Sequence, residues 1–340
     1  MKDIVCFGEM LVRLSTDGYL RFPQAERFNV SYTGAEGNVA VALSNFGLSS
    51  AIVTKLPEND ISRCVVRTLK SYGVNTSNII YGGDRIGLYY LEKGASQRPS
   101  KIIYDRKHSA LSEAQTDEFN WDNIFSNAQW FHFSGITAGL SKSAAVLCKT
   151  ACQKAKALGI KVSCDLNYRR ALWSKEQARQ VMIPLMEYVD VLFANEEDSQ
   201  DALGISAEDS DIEHGIISDE GYSALARKLQ TSFGFEKVVI SLRKSLSASD
   251  NGWSGLLFTD GKLYKSREYK IHLVDRVGGG DSFASGMIYA IITGMGNQES
   301  IEFAAAASCL KQTIEYDYNL SSVEEIQILA NGGGSGRVIR

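Results

Sequence analysis

The sequence predicts an α/β protein of three layers, with a mostly parallel β-sheet covered by helices on both faces and a small β-sheet lid beside it. Three observations lead there. Short apolar runs alternate with segments of helical periodicity along most of the chain, the signature of strand–helix–strand units. Two stretches, 11–33 and 84–108, interrupt that rhythm with strand-like runs and no helix between them. The chain has 340 residues, 44% hydrophobic and 22% charged, which is a globular composition with length enough for a sizeable core.

Each element has its own signal. Asp3 to Gly8 holds the apolar run IVCFG, a short buried strand closed by glycine. From Asn38, the positions Val39, Ala42, Leu43 and Phe46 follow helical spacing, and Gly47 ends the helix. Ala51 to Thr54 is a second strand. Ile61, Cys64, Val65, Thr68, Leu69 and Tyr72 mark a second helix, stopped by Gly73. Helix 142–158 then leads to strand 160–164, helix 174–188 to strand 189–194, and helix 219–232 to strand 237–242. The runs LVRL, ERFNVSY, IGLYYLE and KIIYDR fit poorly into a parallel core, so they are assigned to a small antiparallel lid. Such lids shield reacting groups from water. Residues 1–330 thus read as one domain, and the glycine-rich 331–340 as a flexible tail.

Charge and motif content exclude several function classes. A net charge of −4 argues against nucleic acid or an anionic membrane as main partner. No run of eighteen apolar residues occurs, and Met1 to Leu14 lacks the apolar core of a secretory signal, so no membrane span is expected. The six cysteines lack zinc spacing and fit a reduced, cytoplasmic compartment; Cys148 and Cys152, one helical turn apart, read as small buried residues. His108, His132, His214 and His272 are scattered and read as structural or exposed.

The segment VDRVGGGDSFASGMIYAIITG, residues 274–294, carries the strongest chemical signal. Gly278, Gly279 and Gly280 leave the backbone open, so that successive amides can converge on an anion at the start of the following helix. Asp281 beside that pocket is placed to take a proton from a hydroxyl attacking a phosphate. Taken alone, the same four residues fit equally well as a flexible turn with an aspartate N-cap. No GK[ST] follows the glycines, so this is not a Walker A loop.

With that run, the segment Gly34-Ala35-Glu36-Gly37-Asn38 and the order of elements from about Asp3 to about Ala330, the chain resembles the ribokinase-like carbohydrate kinases, the PfkB family. The resemblance implies a ribokinase-like fold, ATP and Mg²⁺ as cofactors, and Asp281 as catalytic base with Gly278, Gly279 and Gly280 around the transferred group. A monovalent cation such as K⁺ stays an open addition. Gly34 and Asn38 match positions that hold sugar hydroxyls in the family, although Asn38 also fits as a helix cap.

Two further segments resemble the branch of the family that acts on 2-keto-3-deoxy sugar acids: Tyr104-Asp105-Arg106, and Asp165-Leu166-Asn167-Tyr168-Arg169-Arg170. Tyr104 and Arg106 are two apart on a strand and share a face. Arg169 follows the carboxyl end of a strand, the usual ligand edge of an open α/β sheet. Two guanidinium groups aimed at one pocket suit a carboxylate, whereas neutral hexoses do not need them. The expected partners are therefore a sugar acid and ATP. A neutral-sugar kinase and a catalytically silent sugar-binding regulator are the alternatives. Tyr90, on the alternating strand IGLYYLE, reads either as a sugar contact or as a lid-core aromatic.

For the nucleotide, the resemblance implicates Asn167, Asn195, Ser241, Arg243 and Gly252, the last in a loop through residues 249–252. Asn195-Glu196-Glu197-Asp198 resembles the family's N-x-x-E segment, so Glu196 and Asp198 are indirect Mg²⁺ candidates; an acidic run at a helix start is equally ordinary dipole compensation. The glycine-rich T-x-G-x-x-G that many members carry near the nucleotide is absent. Exposed lid strands have edges that could pair between subunits as a homo-oligomer.

Overall fold

A computed structural model describes residues 2–206 and 219–334. His214 and residues 335–340 of the expected tail lie outside the described residues. In chain order the strands are β1 (Asp3–Phe7), β2 (Leu11–Ser15), β3 (Asn29–Thr33), β4 (Ser50–Leu56), β5 (Ile79–Tyr81), β6 (Gly87–Glu92), β7 (Lys101–Asp105), β8 (Ala128–Ser134), β9 (Lys161–Asp165), β10 (Val191–Ala194), β11 (Lys237–Ser245), β12 (Asp250–Thr259), β13 (Lys262–Lys265) and β14 (Tyr269–His272). They form two sheets. The larger runs β13-β12-β11-β10-β9-β8-β1-β4-β5, with β14 also paired to β12. From β11 to β5 every pairing is parallel.

The central strands are apolar on both faces because helices cover both. Val5, Phe7, Phe131, Phe133, Val162 and Cys164 enter one buried cluster with helix Lys142–Ala157, while Ile4, Cys6, Ile52 and Phe193 enter another with helices Ala35–Asn45 and Gly279–Ile292. Parallel sheets buried on both faces read as continuous hydrophobic runs, which is why IVCF and VLFA were legible as strands. The carboxyl ends of β9, β10 and β11 open on one edge, and the site forms there.

Two expectations need correction. Beyond β11 the strand–helix rhythm stops: β12, β13 and β14 are antiparallel additions, and residues 250–252 belong to β12 rather than to a loop. The missed signal was Asp260-Gly261, both at positive φ (52° and 70°), the dipeptide that favours a tight hairpin turn. The smaller sheet, ordered β3-β2-β6-β7, is not wholly antiparallel, since β2 and β6 pair in parallel. The chain leaves it after β3, builds β4 and β5 of the large sheet, and returns running in the same direction.

All six cysteines are free, and five are buried, including Cys148 and Cys152. His132 is buried against Ser163, and burial pushes its imidazole down to about 3, so it is neutral; His108 and His272 are exposed and pair with Glu113 and Asp250. Among the described residues no helix is long and apolar enough to cross a membrane.

Candidate active site

Helix Gly279–Ile292 is held by its apolar face, with Phe283, Met287 and Ile288 buried in the core, and its amino end faces a cleft of about 1270 Å³ between the two sheets. Gly278 is the N-cap, at φ +82°. A side chain there is barred twice, by that left-handed backbone and by the Asp317 carbonyl oxygen, which lies 2.0 Å from where a Cβ would be. The Gly279 amide donates to the Arg276 carbonyl at 3.3 Å. The amides of Gly280 and Asp281, in the first turn, have no acceptor within the helix. At Gly280 a Cβ would meet nothing within 4 Å, so this part of the backbone lies open to the cleft.

Asp281 occupies the first turn and lines the cleft. Asn38 Nδ2 donates to its Oδ2 at 2.6 Å, and Thr33 Oγ1 lies 2.9 Å from Asn38 Oδ1. Burial pushes the Asp281 carboxyl up to about 7, opposed by the Asn38 bond and reinforced by the charges of Glu36 and Asp317. Gly34 precedes helix Ala35–Asn45; a Cβ on it would stand 2.2 Å from the Glu9 carbonyl oxygen, so the backbones touch there.

Tyr104, Arg106 and Arg169 all line the same cleft. They differ in how their charge is met. Arg106 Nε donates to Glu9 Oε2 at 2.6 Å, both side chains are buried, and the guanidinium lies 5.7 Å from the Tyr104 ring centre. Arg169 donates only to the Tyr168 carbonyl, at 2.9 Å, and has no carboxylate in ion-pair range among the described residues. Tyr90 does not line the cleft. Strand alternation turns it to the other face, edge-on to Phe28 at 5.7 Å and across from Leu14 and Ile103, and its neighbour Tyr89 faces inward instead.

The residues expected at the nucleotide line the cleft as well: Asn167, at φ +38°, and Asn195, Ser241, Arg243 and Gly252. Asn195 caps helix Glu196–Leu203, accepting from the Asp198 amide at 2.7 Å, while its Nδ2 donates to the Asp198 carboxylate at 3.0 Å. Burial pushes Asp198 up to about 7, raises Glu196, and raises Asp165 well above the usual carboxylate range, with Asp198 and Asp281 adding to the last. Glu196 Oε2 is buried without a hydrogen-bond partner among the described residues. Among the described residues no three acids, histidines or cysteines converge as a metal cage, so Glu196 and Asp198 fit a divalent cation held indirectly, through water.

Several residues were invisible to sequence reasoning. Asp317 Oδ2 accepts from Thr33 Oγ1 and Tyr89 Oη, both at 2.7 Å, and its other oxygen pairs with Arg13. Fully buried Arg13 also reaches Asp275 at 2.5 Å, and buried Lys311 donates to the Asp275 carbonyl at 3.1 Å. Glu36 accepts from the Ser134 amide and hydroxyl and from Thr137 at 2.7–2.9 Å. An arginine inside the apolar run LVRL was the one local hint of a buried ion pair; its partners lie 262 and 304 residues away.

The pfkB family carbohydrate kinase model matches residues 1–320. Among solved structures, the chain is similar to a 2-dehydro-3-deoxygluconokinase from Thermotoga maritima, 49% identical with a TM-score of 0.94, covering 98% of this chain and 100% of that one. It is also similar to the 2-dehydro-3-deoxygalactonokinase of Haloferax volcanii, 32% identical over 98% of both chains. With the 2-dehydro-3-deoxygluconokinase of Thermoproteus tenax it shares 27% identity over 91% of this chain and 88% of the relative.

Proposed function

Because this chain belongs to the pfkB family of carbohydrate kinases, we propose that it phosphorylates 2-keto-3-deoxygluconate at its 6-hydroxyl, using ATP and with Asp281 as base. The observation that carries this reading is the pairing of an open amide nest at Gly280 with a carboxylate held near neutrality beside it, in one cleft. The ionised Asp281 takes the hydroxyl proton. The freed oxygen bonds to the γ-phosphorus as the bridging P–O bond to ADP breaks, and charge on the transferred group is met by the Gly280 and Asp281 amides.

Arg169, which has no carboxylate in ion-pair range among the described residues, takes the carboxylate of the sugar acid, with Tyr104 and Arg106 beside it. Gly34 and Asn38 face the sugar hydroxyls. Asn167, Asn195, Ser241 and Gly252 border the nucleotide. Glu196 and Asp198 would hold Mg²⁺ indirectly, through water, and the ion when bound neutralises phosphate charge. Residues 11–33 and 84–108 serve as the lid of a single domain. The gluco acid is preferred to its galacto epimer on the higher identity to the relative named for it.

A coupled ADP assay comparing 2-keto-3-deoxygluconate, its galacto epimer, fructose and ribose tests the substrate. The gluco acid is expected to give the highest kcat/KM, with Arg169→Ala raising its KM tenfold or more; faster turnover of a neutral sugar would overturn the assignment. Asp281→Asn is expected to abolish turnover while ATP still binds, and near-normal kcat in that variant would remove the base.

A further inference from the structure

Of the arginines that line the cleft, Arg106 is answered by Glu9, while Arg169, Arg170, Arg243 and Arg276 carry no ion pair among the described residues. Arg243 and Arg276 are set apart by lying close to each other. Neither has a carboxylate within ion-pair distance among the described residues, and both line the cleft. Arg276 is half-buried, two residues before the Gly278 cap. Its Nη2 is steadied by the Ser247 carbonyl at 3.3 Å and by Oδ1 of fully buried Asn251 at 3.2 Å, which leaves Nε and Nη1 uncommitted. Glu196 feels the charge of Arg243 without an ion pair between them, and the acids flanking Arg276 and Asn251 in the chain are spoken for. Asp275 is bound by Arg13, and Asp250 by His272.

Burial and the charge of Arg243 both push the Arg276 guanidinium below its ordinary value, so the two cations sit close enough to repel. A fold does not gain from two unanswered, mutually repelling charges beside an open helix amino end. A multiply charged anion would relieve both at once, and a guanidinium fork suits phosphate oxygens.

We propose that Arg276, with Arg243, grips the polyphosphate tail of the nucleotide and so sets the preference for a triphosphate over an uncharged nucleoside. This rests on the kinase reading for its choice of ATP. Arg276 falls in the segment that carries the glycine run but is not among the nucleotide residues that the resemblance implicates.

The test is calorimetric binding of inorganic tripolyphosphate, ATP and adenosine to the full chain, alongside Arg276→Gln, Arg276→Lys and Arg243→Gln. Each glutamine variant is expected to weaken tripolyphosphate and ATP at least tenfold and to leave adenosine within twofold, with lysine restoring part of the loss. Because removing either charge relieves repulsion, the ligand-free Tm of Arg243→Gln should not fall. Tripolyphosphate and ATP binding within twofold of wild type in both glutamine variants would overturn the proposal, as would an equal loss for adenosine. Should Arg276→Gln fail to fold, exposed Arg243 still decides it. The two readings fail separately. If no sugar is phosphorylated but ATP weakens in the variants, the substrate assignment falls and the grip stands; if Arg276→Gln turns over sugar acid with an unchanged KM for ATP, the grip alone falls.

Discussion

Asp281 sits near half-ionisation at neutral pH, and two consequences of opposite sign follow. Only the ionised form can accept a proton, so kcat/KM is expected to fall about tenfold per pH unit below about 7. A pH profile flat between 6 and 8 would contradict the assignment. Stability runs the other way. The folded carboxyl is raised above its ordinary 3.8, so between about 4 and 7 the folded state binds more protons than the unfolded, and stability falls as pH rises through that window. Asp281→Asn cannot ionise, so its Tm at pH 8 is expected to exceed wild type by a few degrees; a lower Tm would mean that the carboxylate stabilises the fold. Residues such as Asp281 and Arg169 were legible in the sequence because they sit in segments with their own punctuation. Tyr89 was not. In IGLYYLE both strand faces carry large apolar or aromatic groups, so alternation alone could not say which tyrosine faces inward. Nor could it show that Arg106 is already paired with Glu9, 97 residues away. That pairing makes Arg169→Ala the cleaner probe of acid recognition, since removing Arg106 also strands a buried carboxylate.

At the scale of the element, the three glycines before Asp281 are not equivalent. Gly278 must be glycine for its left-handed backbone and its contact with the Asp317 carbonyl. Gly279 meets the Gln312 side chain 3.2 Å from where a Cβ would be, and Gly280 meets nothing. Gly278→Ala is therefore expected to destabilise by more than about 3 kcal/mol in urea unfolding, left-handed strain and a backbone clash together. Gly280→Ala should leave Tm unchanged or slightly higher while lowering kcat about tenfold or more, because its methyl projects over the open amides. Equal effects of the two substitutions on stability would refute the distinction. The helix was readable from its glycine start and apolar spacing. The antiparallel strands before it in the chain, β12 to β14, were not, because Ser249 to Gly252 looks like a turn until its partner strand supplies the pairing.

Across the whole molecule, the alternation of elements was enough to foresee the large sheet and its two helical layers, since periodicity is a local property. What joins the large sheet to the small one is not local. Arg13 from β2, Thr33 from β3 and Tyr89 from β6 all converge on Asp317, whose carbonyl in turn touches Gly278. Arg13→Met is expected to cost about 3–5 kcal/mol, because it leaves Asp275 and Asp317 buried without their cation. A loss under 1 kcal/mol would show that other groups hold the sheets together.

That shared carboxylate also limits how the cleft can admit and release molecules. Three of the four strands are moored at one point, and swinging them away together would break an ion pair and two hydrogen bonds at once. The fourth, β7, lies farthest from the mooring, and Lys101, Ile102, Ile103 and Tyr104 along it are exposed. Amide hydrogen exchange should therefore be faster in β7 than in β2. Traffic would then pass beneath a loose hem rather than a hinged cover, and the strand that yields to an incoming molecule is the one bearing Tyr104.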